Sequence, residues 1–205
     1  MGKRDEQVER QRQVILTAAH DLFAERSFDE VTMAEIAAAA GVARATVFNQ
    51  FSSKHGLVDA ITEQVLSIYG QMLDESLADE RTPTADLLRA MVIDMGQGIE
   101  ADRAFFRGVF RELSRAQLTS DEAAGREAAV AMARDALETL FRRGIERGDI
   151  NDTHDPFTLA LAFTSLLNGV ITEWLAVDDP VPVSQRLTDV ANAFLGPVEK
   201  LGGTS

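Results

Sequence analysis

The sequence predicts an all-α protein with a small N-terminal head of three helices and a larger body of six. Three observations predict this class. Apolar residues recur at steps of three and four along most of the 205 residues, which is the period of a helix with one buried face. Turn signals, mainly Gly, Pro and short polar runs, separate these segments at lengths that suit helices. Hydrophobic residues make up 45% of the chain, which is enough for a packed core and excludes wholesale disorder.

Composition excludes several other classes of protein. Because the chain has no cysteine, it has no disulfide framework, thiolate nucleophile or cysteine-ligated metal, which fits a reducing cytoplasm. The first residues, MGKRDEQVERQRQ, include no apolar stretch, so a secretory signal is not expected. Polar residues interrupt the most apolar segment, 157–177, which predicts a buried helix and not a membrane span.

The net charge of −13 is unevenly distributed. Residues 1–60 hold seven Lys or Arg against nine Asp or Glu, so most of the negative charge lies beyond residue 60. A chain this acidic is not expected to coat nucleic acid non-specifically. A small docking face with a positive local potential remains compatible with the composition.

Caps and periodicity predict the first two helices of the head. An amphipathic pattern predicts the first helix over 6–25. Thr32 and Glu35 have the spacing of a capping box and open a second helix over 33–40. Gly41 follows it and can adopt the left-handed conformation that ends a helix.

A third short helix is predicted from Ala43 or Arg44 to about Gln50, and Ser52 or Ser53 opens the next one. Two short helices joined by a tight glycine turn describe a helix-turn-helix. Two core helices of any all-α bundle can share this spacing. Spacing alone therefore leaves both interpretations open.

Residues 32–54, TMAEIAAAAGVARATVFNQFSSK, place specific residue types in a specific order. The segment from about Val14 to Leu57 resembles the TetR family (tetracycline-repressor-like regulators). That family has Thr at the start of helix 2, then Ile-Ala, Ala-Gly-Val, Thr-Leu-Tyr, a tripeptide with a hydrophobic end, and Lys. The matching residues of this chain are Thr32, Ile36, Ala37, Ala40, Gly41, Val42, Thr46, Phe51 and Lys54. The resemblance implies a DNA-binding transcriptional regulator, in most cases a repressor that a ligand releases from its operator.

The third helix carries side chains that suit a recognition helix. The N-terminal residues of such a helix face base edges in the major groove. Arg44 lies at this position and can bridge to guanine, while Ala43 and Ala45 allow a close approach. The other polar side chains of this helix, which can contact phosphates or bases, are Thr46, Asn49 and Gln50.

Two further residues are expected at phosphates. Lys54 combines its charge with the free N–H groups at the start of the fourth helix, and the resemblance implies a phosphate contact for Thr32. The family commonly has tyrosine where this chain has Phe48, so a hydroxyl contact to phosphate is missing. Phe48 is therefore either a DNA contact or a buried residue, whereas Phe51 is expected to be buried.

The body is predicted from the same helical signals. The predicted domains are a helix-turn-helix domain over 1–53, a connecting helix over 54–77, and a ligand-binding and dimerisation domain over 78–205. Within the last of these, helices are expected after Pro83, over 104–118, from about 120 to the residue before Gly148, over 156–177 and over 183–201. The last two are apolar enough to form a four-helix interface in a homodimer.

Large adaptable side chains of the body are expected mostly in its core. Some of them can line a cavity between helices, as the resemblance implies, for an apolar or amphipathic small molecule. The candidates are Met72, Met91, Met95, Phe106, Phe110 and Trp174.

The sequence offers no catalytic or metal-binding arrangement. The three histidines have no partner at metal-ligand spacing, and the oxygen-rich loop of 149–155 lacks the glycine and terminal glutamate of a calcium hand. An acidic solvated loop is the favoured interpretation, with no cofactor and no enzyme activity expected. The competing function is a helical ligand-binding or dimer module without specific operator recognition, and an enzyme comes third.

Overall fold

A computed structural model describes residues 2–108, 120–177 and 180–200. This part of the chain is helical and contains no β-strand, so the predicted all-α class is confirmed. The helices with complete bounds are α1 (Lys3–Glu25), α2 (Met33–Ala39), α3 (Arg44–Gln50), α4 (Lys54–Ala78), α5 (Thr84–Ala101), α6 (Ser120–Arg147), α7 (Pro156–Ala176) and α8 (Val183–Val198).

One predicted helix can be followed only in part. Residues 103–108 are helical, which agrees with the start of the helix predicted over 104–118. The rest of that helix, including the candidate ligand contact Phe110, lies outside the described residues. Six body helices therefore stay a prediction.

The chain divides into two compact units. The first unit comprises Met1–Val65 and Asp102–Glu122, and the second comprises Leu66–Ala101 and Ala123–Ser205. The first unit thus takes in part of α4 and the segment that follows α5. The domain boundaries predicted at residues 53 and 77 stay a prediction.

The first unit has its own hydrophobic core. Its buried side chains come mainly from α1 to α4 and from the segment after α5, and they include Ile15, Leu16, Phe23, Ile36, Val47, Phe51, Leu57, Ile61 and Phe105. The Phe105 ring stacks on the His20 ring, with 4.3 Å between centroids. The Nε2 atom of His20 is hydrogen-bonded to the Asp102 carboxylate. The segment after α5 is therefore fixed to α1 by both packing and a hydrogen bond.

Several helix ends follow local capping chemistry. Helix α1 begins earlier than the predicted residue 6, and the Gly2 N–H just before it donates to the Asp5 carboxylate at 3.0 Å. Helix α6 ends before Gly148, whose φ of +85° is the left-handed conformation expected there. At α7 the Asp155 carboxylate accepts the Thr158 N–H at 3.0 Å, which caps the helix as an N-cap side chain does.

The second unit brings α5 and α8 into close contact. A Cβ added at Gly96 would lie 2.4 Å from the Cα of Ser184, so a residue larger than glycine would force the two helices apart. The core of this unit is apolar and aromatic, and its largest fully buried side chains are Leu88, Leu140, Phe141, Ile150, Phe163, Leu187 and Leu195.

Helix α7 is the most apolar helix described. Its length and mean hydropathy of 1.4 are sufficient to cross a membrane, and one third of its most apolar window is buried. One helix of this kind is weak evidence for a membrane protein, because core helices pass the same test. Its inner side contributes Leu159, Phe163 and Trp174 to the core, while Phe157 and Leu161 are exposed.

Candidate DNA-binding site

The turn between α2 and α3 has the geometry of a helix-turn-helix. Gly41 has a φ of +65°, a conformation that costs about 1–2 kcal/mol for a residue with a Cβ. The Gly41 N–H donates to the Ala38 carbonyl at 3.2 Å, and the Val42 N–H donates to the Ala37 carbonyl at 3.0 Å. These two bonds end α2 and start the turn, so the predicted motif is confirmed.

Helix α3 has one buried side and one exposed side. Val47 and Phe51 are buried in the core of the first unit, which confirms the prediction for Phe51. The exposed residues of α3 are Arg44, Ala45, Phe48 and Asn49, and they are called the outward face here. Phe48 is 53% exposed, so of its two predicted roles the structure excludes burial in the core.

Arg44 supplies the positive charge of the outward face. Within the part of the chain that the structure describes, its guanidinium makes no hydrogen bond and no ion pair. Ala43, the N-cap of α3, is exposed beside it and leaves the approach to the guanidinium open. A guanidinium at the start of an exposed helix can bind guanine through two parallel hydrogen bonds.

Two predicted DNA contacts lie towards the sides of α3. The Gln50 side chain is half-buried, and its Nε2 donates to Oε1 of Gln11 on α1 at 3.2 Å. Thr46 is also half-buried. Both residues are therefore less accessible than the outward face.

Lys54 is engaged within the protein. Its Nζ donates to the Phe28 carbonyl at 2.7 Å and lies 4.4 Å from the centroid of the Phe28 ring. An ammonium group has three donors, so two remain for a phosphate. The contact holds the charge at the N-terminus of α4, where the free N–H groups of the first turn also favour an anion.

Thr32 is exposed but its donors are occupied. Its hydroxyl and its N–H donate to the Glu35 carboxylate at 2.7 and 2.8 Å, and its hydroxyl accepts the Glu35 N–H at 3.2 Å. Arg26 donates to the same carboxylate at 2.8 Å. The Arg26 side chain first, and Thr32 second, lower the pKa of Glu35 to about 2. A phosphate contact by Thr32 thus requires this carboxylate to move.

Sequence reasoning missed two residues that hold this site. Arg26 lies nine residues before Glu35, and Phe28 lies 26 residues before Lys54. Neither separation corresponds to neighbours on one helix, so no local pattern could have revealed either pair. The Thr32–Glu35 pair did have a local signal, which is the spacing of a capping box.

The structure brings together two of the six candidate ligand contacts. Met72 on α4 and Met91 on α5 line one cavity of about 260 Å³ in the second unit. Sequence reasoning missed the three carboxylates at this cavity. Its other lining residues are Glu75, Ser76, Asp79, Leu87, Ala90 and Asp94.

Three of the other candidates do not line this cavity, and the fourth cannot be placed. Phe106 belongs to the first unit and packs against its core. Trp174 is buried in the second unit, where its Nε1 donates to the Val181 carbonyl at 2.8 Å. Met95 is half-buried and does not line the cavity, and Phe110 is outside the described residues.

The oxygen-rich loop after α6 serves the fold. The Asp149 carboxylate accepts the Thr84 N–H at 2.9 Å and is paired with Arg147. The Asn151 side chain accepts the Thr153 N–H at 3.2 Å. Among the residues whose placement is described, no group of three or more His, Asp or Glu is arranged to hold a metal ion.

Comparison with known proteins adds to this geometry. Residues 15–61 match the family model described as bacterial regulatory proteins, tetR family. The chain is 26% identical to the HTH-type transcriptional regulator LuxR of Vibrio harveyi over 190 residues, which cover 91% of this chain and 87% of that protein.

Two solved structures have a similar fold. SmeT, the repressor of the Stenotrophomonas maltophilia multidrug efflux pump SmeDEF, is 25% identical with a TM-score of 0.76, covering 93% of this chain and 91% of that one. The regulator FadR from Bacillus subtilis, solved in complex with stearoyl-CoA, has a TM-score of 0.77 at 16% identity. It covers 91% of this chain and 99% of that one, and this likeness shows the fold alone.

The matched segment spans α2, the glycine turn, α3 and the start of α4, so it contains every predicted DNA contact from Thr32 to Lys54. The matched family consists of regulatory proteins, which are not enzymes. The geometry of the turn and the match over residues 15–61 confirm the resemblance to the TetR family and identify this segment as a DNA-binding head of the tetR type.

Proposed function

We propose that this regulator is a ligand-responsive repressor that binds a palindromic operator as a homodimer in the cytoplasm. A small apolar or amphipathic effector releases it. The outward face of α3 carries this proposal, because the Arg44 guanidinium makes no hydrogen bond or ion pair with the described residues and has alanine on either side, on an exposed helix. An exposed helix of this composition fits the major groove.

The proposed contacts are divided between bases and phosphates. Arg44 binds guanine, and the rest of α3 contacts neighbouring bases and phosphates. Lys54, held by Phe28, binds phosphate together with the N–H groups of α4. The full set of proposed DNA contacts is Thr32, Ala43, Arg44, Ala45, Thr46, Phe48, Asn49, Gln50 and Lys54.

A homodimer is supported by the exposed apolar side of α7. Phe157 is 45% exposed and Leu161 is 44% exposed, both on one face of this helix. Exposed apolar surface of this kind is stabilised by a protein partner. We place the interface on 156–177 and 183–201, and a two-fold dimer explains a palindromic operator with half-sites spaced by about one helical turn or a multiple of it.

The effector is assigned to the cavity lined by Met72 and Met91. The thioethers and aliphatic groups of this cavity suit the apolar part of an effector molecule, and its carboxylates suit a polar end of the same molecule. Helix α4 runs from Lys54 to Ala78, and we propose that it transmits the effect of a ligand at Met72 to Lys54. The expected coupling is about 1–3 kcal/mol, and DNA must weaken effector binding by the same factor.

The test is a salt titration of binding to the DNA that flanks the protein's own gene. Arg44→Ala should weaken specific binding by about 1–3 kcal/mol. Lys54→Ala should weaken binding to all sequences. It should also reduce the slope of log K against log salt concentration by about one. Arg81→Ala, which removes an exposed cation from the second unit, is the matched control and should bind as the wild type does.

The alternative is a helical ligand-binding or dimer module without specific operator recognition. It is favoured by the engagement of the Lys54 ammonium with the Phe28 carbonyl and by the single cation of α3. The same titration separates the two functions. If both head variants bound the native DNA as tightly as the wild type, the alternative would be the better account.

A further inference from the structure

Phe48 occupies the middle of the outward face. On a helix, residues four apart lie on the same face, so Phe48 lies one turn after Arg44 on the outward face. Ala45 and Asn49 flank it, and all four residues are exposed. Phe48 is 53% exposed even though Val47 and Phe51, on either side of it in the chain, are buried. The core contacts of α3 are thus made without Phe48.

The chemistry of the phenyl ring limits what it can bind. It has no donor or acceptor, so it forms no hydrogen bond with a phosphate or a base edge. In the major groove the C5-methyl group of thymine is the apolar feature that distinguishes a T·A pair, and phenylalanine is one of the side chains that contacts it. The small side chain of Ala45 leaves room for the ring to approach the base.

We propose that Phe48 is a specificity-determining residue that recognises the methyl group of a thymine in each half-site. This rests on the proposed function, in which α3 lies in the major groove. Because Phe48 is one helical turn from Arg44, the thymine lies within a few base pairs of the guanine that Arg44 binds. The operator half-site is therefore expected to contain both a guanine and a thymine.

Uracil lacks only this methyl group, which makes a direct experiment possible. The full-length protein first enriches duplexes from a random-sequence DNA library. Each thymine of the enriched half-site is then replaced by uracil, and the affinities of the wild type, Phe48→Ala and Asn49→Ala are measured by fluorescence anisotropy. Phe48 is exposed, so its replacement is expected to leave the fold intact, which circular dichroism checks.

One uracil position should weaken wild-type binding by about fourfold per half-site, the factor that corresponds to ~0.8 kcal/mol for a buried methyl group. The same replacement should have no effect on Phe48→Ala. Asn49→Ala should show the same fourfold loss as the wild type, because this variant keeps the Phe48 ring and its contact with the thymine methyl group.

Two results overturn the inference while leaving the proposed function in place. One is an enriched half-site that contains no thymine or tolerates uracil at every position. The other is an equal loss on uracil substitution in the wild type and in Phe48→Ala, which would place the methyl contact on another residue. A library from which no sequence is enriched contradicts the proposed function and this inference together.

Discussion

Phe105→Ala should destabilise the first compact unit by about 3–5 kcal/mol, the usual cost of removing a buried phenyl ring. The side chain is 2% exposed and belongs to the core formed by α1 to α4. Its ring stacks on His20 at 4.3 Å and meets the edge of Phe106 at 5.6 Å. Since these contacts are fixed by helices, the surrounding side chains can fill the cavity only in part.

Hydrogen exchange of the full chain, followed by mass spectrometry, measures this effect locally. Peptides from α1 to α3 should exchange roughly a hundredfold faster or more, because each 1.4 kcal/mol is a factor of ten. Peptides from α7 and α8 should exchange as in the wild type. Phe48→Ala is the matched control, since it removes the same atoms from an exposed position and should leave all peptides nearly unchanged.

Two outcomes would refute this reasoning. Unchanged exchange in α1 to α3 would mean that the segment after α5 does not support the first unit. Equal changes in exchange for Phe105→Ala and Phe48→Ala would mean that the buried Phe105 ring stabilises the first unit no more than an exposed ring does.

Three further predictions concern the cap, the turn and the dimer. The folded pKa of Glu35, about 2, lies below its ordinary value of 4.5, so its stabilising effect is complete above pH 4.5 and is lost as the pH falls through 2. The stability difference between the wild type and Glu35→Gln, measured by urea unfolding, should therefore shrink over this range; a constant difference would contradict it. Gly41→Ala should cost about 1–2 kcal/mol in the same assay because of its positive φ, and an unchanged midpoint would argue against the turn geometry. Leu161→Glu should convert a dimer to monomer in ultracentrifugation at micromolar concentration, and a dimer that survives would place the interface elsewhere.

The helix-turn-helix could be predicted because its signals are local. The Thr32–Glu35 capping box and the left-handed Gly41 are defined by residues within one or two turns of each other, and the structure has both. The same holds for Gly148 at the end of α6 and for Asp155 before α7. Each of these positions is set by backbone groups that a helix end leaves without a partner.

Contacts between distant segments could not be predicted in this way. Phe105 lies next to Phe106 in a segment that periodicity assigns to the body, so nothing in the sequence marks it as part of the first unit's core. For the same reason the sequence groups Phe106 and Trp174 with Met72, although Met72 alone of these three lines the cavity. Periodicity shows which face of a helix is apolar, and it does not show which core that face joins.

The most direct test of specific DNA recognition is the ratio of two affinities at one salt concentration. The wild type is titrated with a duplex that it enriches from a random library and with a scrambled duplex of the same composition. Recognition by the outward face of α3 predicts a ratio of about 10³ or more, and Arg44→Ala should reduce it. A ratio near one at every salt concentration would contradict the account, because any binding would then come from charge alone.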